Sequence, residues 1–107
     1  MDLKTKISLK AKLHFNSGCD EEAFFEWVDK IGCVSEKWFL GSEHFFILNT
    51  NQIADYNLRE FIALFYRYSI DMKQLAQFLS NKNKSWFFDN KKTYWHDKVF
   101  WNNTESK

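Results

Sequence analysis

The hydrophobic period of this chain changes within a few residues, and that switch constrains the fold more than any other feature. In KISLKAKLHF, residues 6–15, Ile7, Leu9, Ala11, Leu13 and Phe15 alternate with Lys6, Ser8, Lys10, Lys12 and His14. Period two sends successive side chains to opposite faces, so the stretch reads as a half-buried strand. Its lysine-rich wet face suits a sheet edge guarded against unwanted pairing. After the break Asn16-Ser17-Gly18, Phe24, Trp27, Val28 and Ile31 recur at i, i+3, i+4 and i+7, the single apolar face of a helix over about residues 20–31. Asp20 is its expected N-cap and Gly32 its expected stop. Phe25 falls off the apolar stripe and is a candidate exposed ring.

Two aromatic and branched runs follow, CVSEKWFL at 33–40 and EHFFILN at 43–49, separated by Gly41-Ser42. That arrangement predicts a β-hairpin. The second arm has apolar residues on both parities (Phe45 and Ile47, Phe46 and Leu48), which places it inside the sheet, and Asn49 to Asn51 then forms a polar break. Leu58, Phe61, Ile62, Phe65 and Tyr68 mark the clearest helix of the chain. Asp71 is expected to cap a further helix, MKQLAQFLS, with the stripe Met72, Leu75, Ala76 and Leu79, and a third helix is expected around Lys91 to Phe100. The expectation is one α+β domain over residues 1–107, a small antiparallel sheet of about three strands against three to four helices, in the order β-α-β-β-α-α-(α). With 107 residues, no proline and no internal repeat, a second domain has no room.

Composition adds one further constraint. Aromatic residues make up 20% of the chain, with 12 Phe, 5 Trp and 4 Tyr. Each such ring buries about 150–250 Å² and a domain of this size has few interior places for them. Either the core is filled with Phe in place of Leu and Ile, or some rings lie at the surface, where aromatic anchors dominate protein interfaces.

The formal net charge of +1 excludes a global field that would draw the whole molecule to nucleic acid or membrane. Local charge is uneven. Between residues 20 and 43, the acids Asp20, Glu21, Glu22, Glu26, Asp29, Glu36 and Glu43 face only Lys30 and Lys37. Between residues 73 and 98, Lys73, Lys82, Lys84, Lys91, Lys92 and Lys98 face only Asp89 and Asp97. No run approaches the roughly 18 consecutive apolar residues of a membrane span, and the first fifteen residues lack an apolar core of signal-peptide type. A cytoplasmic protein with free thiols is the expectation, in which the Asn102-Asn103-Thr104 sequon has no use.

Catalytic chemistry finds little support. His14, His44 and His96 are scattered, and Cys19 and Cys33 lack metal-ligand spacing. With three glycines and no Gly-rich motif, a phosphate-cradling loop is hard to build. Glu22 and Glu26, one helical turn apart, are a conceivable acid–base pair but sit on a wet face. No cofactor and no metal are expected, and the chain is read as non-enzymatic. The short connection between the helices at 58–68 and 71–80 invites a helix-turn-helix reading with Lys73, Gln74 and Gln77 toward a major groove, extended by the lysine- and aromatic-rich segment to residue 98. Near-neutral charge weighs against it.

Residues 58–79, LREFIALFYRYSIDMKQLAQFL, and 84–100, KSWFFDNKKTYWHDKVF, resemble bacterial immunity proteins of contact-dependent growth inhibition systems. The resemblance covers less than half of the chain and carries no catalytic signature. It implies a cytoplasmic protein that binds the toxic C-terminal domain of a delivered toxin, often a nuclease, and blocks it by stoichiometric occlusion. The residues expected to bind are the acids Glu21, Glu22, Glu26, Asp29, Glu36 and Glu43 with the ring of Phe25. Acidic patches speed association with basic partners. A helix-turn-helix-like regulator using residues 71–98 is the alternative.

Overall fold

The computed structural model describes residues 7–49 and 53–101, with side chains from Leu9 onward. Lys6, the second half of the Asn49–Asn51 break and the Asn102-Asn103-Thr104 sequon lie outside the described residues. The elements run β1 (Ile7–Lys12), α1 (Gly18–Lys30), β2 (Val34–Leu40), β3 (Glu43–Leu48), α2 (Asp55–Arg67), a 3₁₀ helix (Met72–Phe78), α3 (Lys84–Phe87) and α4 (His96–Phe100). This is the expected α+β architecture, with one more helical turn, α3, than the sequence predicts.

The sheet order is β1-β3-β2, antiparallel throughout. The doubly apolar arm β3 is therefore central. Leu40 pairs with Glu43 across a two-residue turn in which Gly41 has φ +64° while Ser42 stays at negative φ, the II′ pattern whose twist matches that of the strands. Cross-strand partners share a face. Leu9, Ala11, His44, Phe46 and Lys37 thus lie toward the helices, as the contact of Phe46 with Phe24 of α1 shows. Lys10, Lys12, Phe45, Ile47, Trp38 and Leu40 lie on the other face.

The core answers the ring question with a division of labour. Phe24, Phe46, Phe61, Phe65 and Phe87 are fully buried, beside Leu9, Val28, Ile31, Leu58, Leu64 and Leu75. Trp38, Phe39, Tyr56, Tyr66, Tyr94 and Trp101 are exposed. Phenylalanine, which has no polar atom to satisfy, fills the interior, and the exposed rings are mostly Trp and Tyr, which carry one.

Helix ends depart from expectation in instructive ways. Ser17, not Asp20, caps α1: its hydroxyl accepts from the Asp20 N–H at 3.1 Å, and the Asp20 carboxylate accepts from the Asn16 N–H at 3.0 Å. The first bond satisfies an orphan donor of the opening turn, and the second ties the residue before the cap to the helix. Gly32 is not a left-handed stop; α1 ends because Ile31 turns extended at φ −87°, ψ 103° and is buried. At the end of α2, Ser69 has φ +58°, the Ile70 N–H bonds the Phe65 carbonyl at 2.9 Å and the Ser69 N–H bonds that of Tyr66 at 3.4 Å. This is a Schellman cap with serine where glycine is usual.

Asp71 caps the next element as expected, accepting from the Lys73 N–H at 3.0 Å, but the element is a 3₁₀ helix. With three residues per turn, side chains three apart align. Met72, Leu75 and Phe78 are accordingly buried, whereas Leu79 of the expected stripe is exposed and Ala76 is half-buried. Asn83, itself buried, holds the following loop by accepting from the Ser80 N–H at 2.8 Å and donating to the Phe78 carbonyl at 2.9 Å. The C-terminal part is fastened to α2 through Trp86, whose indole N–H donates to Asp55 at 3.1 Å and whose ring lies 3.9 Å beneath the Arg59 guanidinium. Among the described residues, no helix is long and apolar enough to cross a membrane.

Candidate partner-binding surface

Capping at Ser17 fixes the rotation of α1, since Phe24, Val28 and Ile31 then face the sheet and the intervening acids face water. Glu21, Glu22, Glu26 and Asp29 are exposed and line one open, shallow depression of about 600 Å³ with Gly18 and Phe25. The fold thus brings five of the seven expected binding residues together. Asp20 and Glu21 lie in the first turn, where carboxylates complement the helix dipole, and Lys30 lies in the last.

Phe25 is not the freely exposed ring expected of it. It is half-buried against Phe15, Phe24 and His44, at ring separations of 6.0, 5.0 and 5.5 Å. The helix packs on the sheet over a face wider than the i, i+3, i+4 stripe, so a ring one position off that stripe still finds neighbours. Glu36 belongs to the margin of the surface, in a small cleft of about 200 Å³ lined also by Val28, Asp29, Val34, Ser35 and Lys37. Glu43 does not join it: it sits at the start of β3 opposite Lys12 and lines a separate concavity with Lys10, Asp71 and Gln74.

The surface continues from α1 onto β2. Lys37 forms an ion pair with Asp29. His44 lies between Phe25 and Phe39, 5.5 and 5.6 Å from their ring centres, so an unbroken aromatic line runs from the acidic helix to the outer strand. Every residue of β2 from Ser35 to Leu40 is exposed; Phe39 retains 68% of its accessible surface and Leu40 70%. Trp38 stacks on Phe45, with centroids 4.2 Å apart and planes at 14°, yet is itself 46% exposed. Three consecutive large apolar residues in water are uncommon in a solitary domain, which makes this strand a candidate interaction surface. The sequence reading missed Trp38, Phe39 and Leu40, although a signal was there: WFL, like FFIL, is apolar on both parities, and in an edge strand one of those parities has nothing to pack on.

Elsewhere the polar groups are structural. His96 is buried, with Nε2 2.8 Å from the Phe88 carbonyl and Nδ1 3.2 Å from the Asp97 carboxylate. Cys19 is exposed and Cys33 buried, and both thiols are free; burial pushes the Cys33 thiol above its ordinary value. Tyr68 is likewise raised, by burial and by its hydrogen bond to the negative charge of Asp20. Among the described residues, no group of His, Cys, Asp and Glu is placed to hold a metal ion.

The segment proposed as a recognition helix is a 3₁₀ helix whose glutamines are engaged in the fold. Gln74 bonds Lys10 and Asp71, and Gln77 donates to the Gln74 carbonyl at 2.8 Å. Nearby, Tyr66, Lys73, Lys98 and Trp101 contribute to a second concavity of about 670 Å³, where Lys98 approaches the Tyr66 ring to 5.8 Å. Compared with protein-family models, with curated proteins and with solved structures, the chain gives no match.

Proposed function

We propose that the chain is an immunity protein that binds a cognate toxin domain and neutralises it by stoichiometric occlusion. The observation that carries this reading is the continuity of the acidic face of α1 with the exposed rings of β2: Glu22, Glu26 and Asp29 lead through Phe25 and His44 to Phe39. An inhibitor of this kind needs no catalytic residue of its own. It needs apolar anchors that desolvate on contact and a charged rim that speeds encounter, and this surface supplies both. The acids suit a basic partner such as a nuclease domain.

Growth protection tests the reading. Toxic domains of contact-dependent growth inhibition systems, expressed with and without the chain, should include one whose arrest is relieved by a co-purifying complex of equal stoichiometry. If no such domain is relieved or retained across a broad panel, the reading is wrong.

A second reading rests on a different surface. Tyr66, Tyr94 and Trp101 are exposed beside Lys73 and Lys98, with Lys91 and Lys92 also in water, a combination that can stack bases and neutralise phosphates. A nucleic-acid-binding regulator would show affinity for nucleic acid that falls steeply with salt.

A further inference from the structure

The two edges of the sheet are treated differently. The outer edge of β1 is occupied by the Gln74 carboxamide, which both donates to and accepts from the Lys10 backbone at 2.8 Å. The outer edge of β2 has no strand beside it among the described residues. Edge strands in stable monomers are normally short, charged, bulged or covered. In β2 the protection lies in the register shift between Val34 and Glu36 and the charges of Glu36 and Lys37, and it gives way to exposed Trp38, Phe39 and Leu40.

We infer that the open edge of β2 takes up one extended strand of the toxin partner, with basic side chains on the α1 side of the sheet and apolar ones on the face of Trp38 and Phe45. This deepens the immunity reading and rests on it. Backbone pairing supplies affinity in such strand addition, and alternate side chains supply specificity. On the α1 side Lys37 and Phe39 line the edge, the charge of Lys37 is taken up by Asp29, and Glu22 and Glu26 stand beyond them on α1. On the other lie Glu36, Trp38, Leu40, Phe45 and Ile47, with Phe45 and Ile47 only half-buried. A strand alternating between positive and apolar residues sets its charges toward Glu22 and Glu26 on one face and its apolar side chains on Trp38 and Leu40 on the other. A second copy of the chain fits less well. An antiparallel two-fold through this edge keeps each face continuous, which brings two acidic α1 helices to the same side of one seam.

The test uses the full chain and a synthetic amidated peptide alternating lysine and valine, matched in length to the seven residues of β2. The comparison peptides replace lysine by glutamate, or carry a methyl group on every backbone nitrogen. Amide hydrogen exchange resolved by residue is read with and without peptide, and sedimentation velocity is run on the chain alone. The expected result is at least tenfold slower exchange for amides of residues 35–40 with the lysine peptide, lost with the glutamate and methylated peptides, and a monomer at all concentrations. The inference is overturned by no binding at millimolar peptide, by binding that leaves those amides unprotected, by equal protection from either comparison peptide, or by concentration-dependent dimerisation that protects them without peptide. None of these outcomes bears on growth protection, so the strand-addition mode can fail while the immunity reading stands.

Discussion

The carboxamide of Gln74 reaches back 64 residues to Lys10, accepting from its N–H and donating to its carbonyl, each at 2.8 Å. One side chain thereby stands where a neighbouring strand would stand. Replacing Gln74 by alanine should cost about 1–2 kcal/mol, the net worth of one to two such hydrogen bonds. It should also speed exchange of the Lys10 amide. A denaturant midpoint and a single-residue exchange rate check both, and an unchanged Lys10 amide would show that the clamp does not form in solution.

Ser69→Gly should stabilise the chain by about 1 kcal/mol. Ser69 sits at φ +58°, where an L side chain is penalised and glycine is not. The cap hydrogen bonds of Ile70 and Ser69 are made by backbone N–H groups and survive the change. The urea midpoint should rise with an unchanged slope.

Phe39→Ala should leave stability within about 0.5 kcal/mol, because the ring is 68% exposed. Toxin binding should weaken by at least about 2 kcal/mol if Phe39 is an anchor of the proposed interface. Glu22→Lys with Glu26→Lys should instead slow association and change its salt dependence, leaving dissociation little altered. Surface-immobilised binding kinetics separate the two effects, and reversal of both acids without any change in association would remove α1 from the interface.

Alkaline pH should expose the buried thiol. The folded pKa of Cys33 is raised by burial, so its contribution to stability is intact below pH 9.0, the ordinary value, and is lost as pH rises from there through the folded value. Tyr68 acts in the same direction from its ordinary value of 10.0 upward. The denaturant midpoint should therefore fall above pH 9.0, and Cys33→Ala should flatten the first part of that fall. At neutral pH a thiol reagent should modify exposed Cys19 rapidly and Cys33 only at the rate of opening.

The α+β class was legible because two hydrophobic periods were written in one chain, and β3 was legible as central because both its parities are apolar. The 3₁₀ helix was not. Met72, Leu75 and Ala76 fit a period of 3.6 as well as Met72, Leu75 and Phe78 fit a period of three, and only the packing of Phe78 against the core decides between them. Ser17 and Asp20 are both good cap residues, and the hydrogen bonds, not their identities, assign the roles. Of the candidate surface, the acidic stripe followed from helical spacing. The exposed rings of β2 were not read, although a central β3 leaves β2 at an edge, because the period of a strand does not say which of its faces lacks a covering element.

Among the sheet partners, β2 answers only to β3, and its exposed residues carry little of the interior. Substitution in this stretch is thereby largely uncoupled from folding. Codons for residues 35–40 can change while the scaffold that presents them is inherited intact.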